Sequence, residues 1–436
     1  MNLRQIALRI LNEYEAGEKF INLALSSHLT DSLSGEEKAA LTALLYTTVE
    51  RKLTYDYYIC ALSKRSDGDI DPHTKNILRL GLCQILDMKS IPDYAAVNET
   101  VKLCVVKGER NFVNGVLRSA VRQKESLPMP DEKKNYRRYL SVKYSFPLGL
   151  VKHFDSLYGR DGTEGLLEFF NSEKYTDLTV NTLKIGAYEY ADLLRESGFD
   201  VIVNDCAESS IRIPSSVNPE RLPGFKDGYF FIQDRASAIS ARVLSPNEGD
   251  VVVDVCSAPG GKSFSAAIYS LDKAKIYSFD LHESKLSLIK SGALRLGLDS
   301  INVKQRDALC PDADLIGKAD RVICDVPCSG LGVLGKKPDL RYKDLASLTE
   351  LPPLQLEILA KSSSYLKVGG VLVYSTCTVN PEENEKVVGA FLENNPNFRI
   401  LPFTLGDLNC ENGMLTLTPM ENKTDGFFVA KLQRIQ

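Results

Sequence analysis

Val251-Val252-Val253-Asp254-Val255-Cys256-Ser257-Ala258-Pro259-Gly260-Gly261-Lys262-Ser263 is an apolar run that breaks into small residues and two glycines. Val251 to Val255 is almost continuously apolar, the pattern of a strand buried on both faces. The small residues after it let backbone approach a ligand closely, and the helix that follows offers its free N–H groups. The alternation continues downstream. Apolar periodicity predicts a helix at 261–271, a strand at Lys275–Asp280, a helix at 282–296, and strands at 301–304, 321–325 and 370–375. Repeated βα units with right-handed crossovers give a doubly wound, Rossmann-like α/β sheet, expected to span 228–436. Asn380-Pro381-Glu382-Glu383 reads as a helix start with an N-cap, a first-turn proline and acids that suit the helix dipole. Met414–Leu417 and Gly426–Leu432 are expected to form an antiparallel pair.

Upstream the pattern changes twice. Residues 1–125 show apolar spacing near 3.6, as in Leu3-Ile6-Ile10, Leu78-Leu82-Ile85-Leu86 and Val97-Val101-Cys104-Val105, and read as an all-α domain of roughly six helices. Ser34 with Glu36 and Glu37, and Asp71-Pro72, are helix starts. Lys124 to Lys134 breaks every periodicity and reads as a linker. Residues 136–227 are mixed, with helices near 147–157, 163–171 and 187–196 and strands near 178–182, 200–204 and 209–213. They make a small α+β linker module between the two larger domains.

The chain has 436 residues, 44% hydrophobic and 25% charged, which suits a soluble protein of two or three domains. It holds no run of about 18 apolar residues, so no membrane partner is expected. Met1–Glu15 carries Arg4, Arg9, Glu13 and Glu15 within its apolar pattern and reads as an amphipathic helix, not a signal peptide. Ten cysteines in a chain this long are no disulfide framework, and a reducing, cytoplasmic setting is the simplest reading. With no CxxC pair and no histidine at ligand spacing from a cysteine, no metal site is expected. A monomer is the expected state. Net charge is −4, so a nucleic-acid partner must come from local clusters. Residues 1–125 hold 17 Lys and Arg against 16 Asp and Glu, yet Lys102, Lys107, Arg110, Arg118, Arg122 and Lys124 bunch with only Glu109 and Glu125 among them. Such a cluster is either an RNA-facing surface or a solvated helix face.

Two cysteine segments point to covalent chemistry. Val322-Ile323-Cys324-Asp325-Val326-Pro327-Cys328-Ser329 and Val371-Leu372-Val373-Tyr374-Ser375-Thr376-Cys377-Thr378 each end a buried strand with a thiol. Both thiols fall at the carboxyl edge of one sheet, where open α/β sheets bind ligands. Cys324 points to the opposite strand face from Asp325 and reads as core. Cys256 to Lys262 admits two ligand types. Gly261-Lys262-Ser263 supplies the tail of a phosphate-binding P-loop, but Cys256 replaces its first glycine and Pro259 removes an N–H. A cofactor with adenosine and no polyphosphate fits better. Asp280 at the second strand end can accept both ribose hydroxyls, and Asp307 after the third strand can meet the adenine edge. Any one aspartate is more often a turn or cap residue; Asp280, Asp307 and Asp325 at successive strand ends are hard to assign to turns alone.

Cys256 to Ser263, the Asp280 and Asp307 strand ends, Asp325 to Gly332 and Tyr374 to Thr378, with Gln233-Asp234 ahead of them, resemble the Sun-type RNA cytosine-C5 methyltransferases. Tyr94 to Glu99 and Asn111 to Arg118 in the helical part resemble the antitermination factor NusB. The fusion is similar to enzymes that act on small-subunit (16S) ribosomal RNA, and the likeness covers nearly the whole chain. It implies S-adenosylmethionine as cofactor, held by Cys256, Ser257, Ala258, Pro259, Gly260, Gly261, Lys262, Asp280, Asp307 and Asp325. It also implies Cys377, Cys328 and Asp325 as catalytic residues. A thiolate added to carbon 6 of cytosine activates carbon 5, and a second group assists release of the C5 proton. The family pattern makes Cys377 the nucleophile and Cys328 the release residue; DNA cytosine methylases use a Pro-Cys thiol instead, so the chemistry alone leaves the two interchangeable. Lys337 to Tyr342 carries tyrosine where the family carries tryptophan, and the chain has no Trp; a tyrosine still stacks, so function is expected to persist. Two other readings stay open: a non-enzymatic RNA-binding factor on an inactive scaffold, and the same chemistry on tRNA or DNA.

Overall fold

A computed structural model describes residues 2–17, 21–29, 33–172, 174–203, 209–406 and 408–436. Met1, at the start of the predicted first helix, and residue 204, at the end of a predicted strand, lie outside the described residues. The chain forms two compact units, Met1–Asn171 with Lys337–Lys343, and Ser172–Lys336 with Asp344–Gln436.

The first unit is all helical. Among the described residues seven α-helices precede residue 125 where roughly six were expected, from Leu3–Glu15 to Lys107–Arg122. The predicted starts hold: Ser34 accepts from the Glu37 N–H in a capping box, and Asp71 accepts from the Thr74 N–H with Pro72 in the first turn. The expected boundary at 136 is displaced. Tyr136–Tyr144 and the segment Leu148–Asn171, broken at Gly159, pack with this unit. Thr54 Oγ1 donates to the Val142 carbonyl at 2.6 Å and the Leu53 N–H donates to Ser145 Oγ at 3.1 Å. Hydrogen bonds between side-chain hydroxyls and backbone across the predicted linker, rather than local composition, set the unit's edge.

Tyr342 also belongs here. Its hydroxyl donates to the Val49 carbonyl at 3.0 Å, and Lys52 Nζ lies 4.3 Å from its ring centre. Neighbouring Arg341 is buried, donating to the Asn171 side chain at 2.8 Å with its guanidinium 3.9 Å above the Phe146 ring. Tyr342 is thus a packing residue of the helical unit, not a free stacking surface. The basic cluster is partly neutralised: Lys102 pairs with Glu99 at 2.6 Å and Lys124 with Asp93 at 3.1 Å, while Arg118 and Arg122 remain exposed.

The second unit opens with a four-stranded antiparallel sheet, ordered Ile202–Val203, Ser210–Pro214, Tyr175–Val180, Phe230–Ile232. Phe230–Ile232 falls beyond the expected boundary at 227, because its three residues pair with Tyr175–Val180. The large sheet follows: β1 (Val251–Asp254), β2 (Lys275–Asp280), β3 (Ile301–Gln305), β4 (Ala319–Asp325), β5 (Leu366–Thr376), β6 (Phe398–Ile400), β7 (Met414–Leu417) and β8 (Phe427–Arg434). Their order is β6-β8-β5-β4-β1-β2-β3 with β7 also paired to β8; β1 to β5 run parallel and β8 antiparallel to β5. The expected C-terminal pair is present, and β8 also enters the main sheet beside β5.

Both faces are covered, which explains the continuous apolar strands. Val252, Ile323 and Val373 pack one face with Ile239, Ile268 and Ile289 of three helices; Val253, Cys324 and Leu372 pack the other with Ile358, Leu359 and Phe391. Among the described residues no helix is long and apolar enough to cross a membrane.

Behind the carboxyl edge, Gly332 and Gly426 touch backbone to backbone. The Gly332 N–H donates to the Cys377 carbonyl at 3.0 Å and the Gly426 N–H to the Gly332 carbonyl at 2.9 Å. A Cβ on Gly332 would sit 1.9 Å from the Gly426 oxygen. Gly332→Ala should therefore cost about 1–3 kcal/mol through overpacking against backbone that cannot yield. Gly389→Ala, in the helix Glu385–Asn394 with nothing within 4 Å, should gain about 0.5–1 kcal/mol. Urea unfolding midpoints check both; equal stability of Gly332→Ala and wild type would refute the close seam.

Candidate active site

Strand β1 ends two residues short of its neighbours. Asp254 pairs with Ser278 on β2 and Ile323 on β4, and those strands continue to Asp280 and Asp325. The missing length leaves a notch at the point where strand order reverses, the usual ligand crevice of a doubly wound sheet. Cys256 to Gly261 forms its floor. Ser257 donates to the Phe279 carbonyl from its N–H at 2.7 Å and from its Oγ at 2.8 Å, tying the floor to β2. Gly260 has φ +113°, and a Cβ there would meet the Phe264 ring at 2.4 Å, so only glycine completes this turn.

Asp280 stands on one wall, nearly buried. Its oxygens accept from the Ala258 N–H at 3.2 Å and the His282 N–H at 3.0 Å. An ionised carboxylate has room for about four donors, so two ribose hydroxyls can still be received. Asp307, half-buried two residues past β3, accepts from the Leu309 N–H at 2.9 Å; the turn role is real and leaves its second oxygen for a ligand. Lys262, in the first turn of the helix Gly261–Tyr269, donates to Asp325 Oδ2 at 2.6 Å and Ser237 Oγ at 2.7 Å, at the opposite wall. Ser375 Oγ donates to Asp325 Oδ1 at 2.6 Å, so both oxygens of Asp325 are oriented from behind.

Beyond Asp325 the two thiols meet. Cys328 Sγ and Cys377 Sγ are 3.2 Å apart, and both residues are partly exposed. The hydrogen bond to Cys377, burial, the Cys377 charge and then the nearby Glu383 and Asp325 charges push the Cys328 thiol well above its ordinary range. Cys324 is fully buried in the opposite core, as the strand alternation requires. Asp234 caps the helix Arg235–Leu244 and pairs with Lys336, which also binds Asp425 at 2.9 Å.

Two buried acids escaped the sequence reading. Asp254 was read only as part of an apolar strand; it accepts from Ser263 Oγ at 2.7 Å while its Oδ1 has no hydrogen-bond partner among the described residues. Glu383 was read as a first-turn helix acid. The helix instead begins at Glu385, and Asn380 does not cap it. Asn380 Nδ2 donates to Glu383 Oε1 at 3.1 Å, and Glu383 is fully buried between the two thiol loops. A second acid in an Asn-Pro-Glu-Glu run was the only available signal, and helix capping accounts for it equally well.

The residues present fit a nucleoside cofactor. Asp280 faces the notch with spare acceptor capacity, and Asp254 Oδ1 is a buried acceptor with nothing to receive.

Residues 241–433 match the family described as 16S rRNA methyltransferase RsmB/F, and residues 1–122 match the NusB family. Two relatives, each named "Probable ribosomal RNA small subunit methyltransferase B", come from Bacillus subtilis (33% identical, 99% of both chains) and Synechocystis (34%, 100% of both). The ribosomal RNA small subunit methyltransferase B of Klebsiella pneumoniae is 30% identical over 99% of this chain and 98% of its own. Among solved structures, PH0851 superposes with a TM-score of 0.80 at 26% identity, covering 100% of this chain and 99% of that one. NSun6 from Pyrococcus horikoshii with SFG superposes at 0.59 and 22% identity over 67% of this chain and 99% of that one, a likeness of fold.

Burial raises the Asp254 carboxyl from 3.8 to about 7, with the Asp325 and Asp280 charges adding to it. Its folded pKa lies above the unfolded one, so the stability it contributes is complete below 3.8 and is lost as pH rises through about 7. Asp254→Asn keeps the shape and removes the titration. Thermal midpoints of the two proteins should therefore diverge steadily between about pH 4 and pH 7, wild type losing more. Parallel curves would mean that Asp254 titrates normally.

Proposed function

Because the chain belongs to the ribosomal RNA small subunit methyltransferase B family, we propose that it methylates carbon 5 of a cytidine in small-subunit (16S) ribosomal RNA, through a covalent bond between Cys377 and carbon 6. Its cofactor is S-adenosylmethionine, which supplies the methyl group when bound. Asp280 would hold the ribose hydroxyls, Asp307 the adenine edge, and the backbone of Cys256 to Gly261 the remainder. The observation that carries the reading is the 3.2 Å contact between Cys328 and Cys377 beside Asp325.

Carbon 5 of cytosine is a poor nucleophile. Addition of the Cys377 thiolate to carbon 6 forms a C–S bond and pushes ring electrons onto carbon 5, which then behaves as an enamine. Asp325, fixed by Lys262 and Ser375, meets the polar edge of the ring and holds it over the thiol. Once methylated, carbon 5 still carries its proton. Of the influences that hold the Cys328 proton in place, the hydrogen bond to Cys377 and the Cys377 charge are lost when Cys377 bonds to carbon. Cys328 can then give its proton to solvent and take the one from carbon 5. The electrons of that C–H bond restore the ring double bond, the C–S bond breaks, and Cys377 leaves as thiolate. Asp254 and Glu383 lie behind the reacting groups and hold the edge in shape.

The two thiols are separated by one experiment. Cys328→Ala incubated with substrate RNA and cofactor should accumulate a slow-migrating protein–RNA band on denaturing gels, because attack proceeds and release does not. Cys377→Ala and the double variant should give none. A band from Cys377→Ala alone would reverse the two roles.

A further inference from the structure

Cys328 and Cys377 leave different strands, yet their sulfurs lie 3.2 Å apart, and a disulfide bond measures about 2.05 Å. The loops that carry them are pinned to each other on every side of that contact. Ser329 Oγ and Thr378 Oγ1, on the residues directly after the two cysteines, are 2.8 Å apart. The Gly332 N–H donates to the Cys377 carbonyl at 3.0 Å. Behind them the fully buried Glu383 accepts from the Ser329 N–H at 2.8 Å, Ser329 Oγ at 2.5 Å and Asn380 Nδ2 at 3.1 Å, so one carboxylate holds both loops. Gln355 Nε2 donates to that carboxylate at 3.0 Å and to the carbonyl of Pro327, directly before Cys328, at 2.9 Å. With both backbones held, the remaining gap between the sulfurs is of the size that side-chain rotation closes.

Methyl transfer as proposed above uses the two thiols in turn and never bonds them to each other. Their contact offers a second chemistry. Both residues are partly exposed, so a small oxidant in solvent can reach them. Cys324, on the same strand as Cys328, is fully buried in the opposite core and takes no part.

We propose that Cys328 and Cys377 are a reversible oxidation site for peroxides, closing to a disulfide that takes the enzyme out of action until a thiol reductant opens it. One thiolate attacks the O–O bond of hydrogen peroxide, forming an S–O bond and releasing hydroxide; sulfur is oxidised and the peroxide reduced. The neighbouring thiol then attacks that sulfenic sulfur. The S–O bond breaks, the hydroxyl leaves as water, and the proton of the second thiol neutralises the hydroxide. Two thiols and one peroxide thus become one disulfide and two waters, whichever sulfur is attacked first. Exchange with a thiol reductant restores both groups. A sulfenic acid with no thiol beside it is oxidised further to a sulfinic acid, which thiols do not reverse. The 3.2 Å contact therefore also keeps oxidation of this site recoverable. Disulfide formation rests on the contact alone; the loss of activity rests on the reading of Cys377 as the group that attacks carbon 6.

Hydrogen peroxide treatment of the full-length protein, followed by peptide mass spectrometry, tests this without RNA. Wild type should yield a peptide pair linking Cys328 to Cys377 and lighter by about two daltons than its separate parts, and dithiothreitol should restore both thiols. Methyl incorporation into small-subunit ribosomal RNA should fall about tenfold or more and return with the thiols. Cys310→Ser, which removes an exposed cysteine outside the pair, should behave as wild type in both measurements. In Cys328→Ala the lone Cys377 should instead proceed to the sulfinic acid, a gain of about 32 daltons that dithiothreitol leaves in place. Absence of the linked peptides at a peroxide dose that oxidises Cys310 would overturn the proposal. So would a sulfinic acid on either thiol of wild type with no disulfide formed, a result that needs no variant to fold. A disulfide that leaves methylation intact would instead sink the catalytic reading of the thiols and leave the oxidation site standing, so the two failures are told apart.

Discussion

The parallel register that sets Asp325 opposite Ser375 fixes everything at the reactive edge. Cys328 lies three residues past Asp325 and Cys377 two past Ser375, so both chains leave the sheet at one level and their thiols meet. A slip of one residue would move one loop by about 3.3 Å and turn Ser375 from Asp325 to the opposite face. The apolar residues of β4 and β5 lock that register from both sides, because Ile323 and Val373 are committed to one core and Cys324 and Leu372 to the other. The chemistry at the edge therefore draws its precision from packing several residues below it.

Three carboxylates at this edge meet three different environments. Asp325 is partly exposed and held by a lysine and a serine, which suits a group that must meet a ligand. Glu383 is sealed away with neutral donors only. Asp254 is sealed with a single donor and is driven toward the protonated form. Distinct environments for chemically similar acids are how one fold assigns them distinct tasks. The buried pair costs stability, and the two packed faces of the sheet are what the edge can draw on.

Much of this was legible in the sequence where burial is two-sided and local. β1, β2 and β4 could be read from their apolar runs, and the meeting of Cys328 with Cys377 from the strand ends that carry them. What could not be read depended on partners distant in the chain. Phe230–Ile232 is too short to show a period, and becomes a strand by pairing with Tyr175–Val180. The C-terminal hairpin looked self-contained because nothing in Phe427–Arg434 announces β5 as its neighbour. Residues 136–171 have the composition of a separate module, yet Thr54 and Leu53 claim them for the helical unit. Tyr342 looked like a stacking residue because its motif said so, and its hydroxyl is spent on Val49. Glu383 was hidden by a capping pattern that suits the same letters.

The family acts on small-subunit ribosomal RNA, and the proposed role of the two thiols is carbon-5 methylation of a cytidine in it. The most direct measurement is bisulfite sequencing of small-subunit ribosomal RNA transcribed without modifications and then incubated with the protein and S-adenosylmethionine. A cytidine that resists conversion only when both are present is the predicted result. Methyl incorporation into that RNA with every cytidine still converted would contradict carbon-5 chemistry and the role given to the thiols.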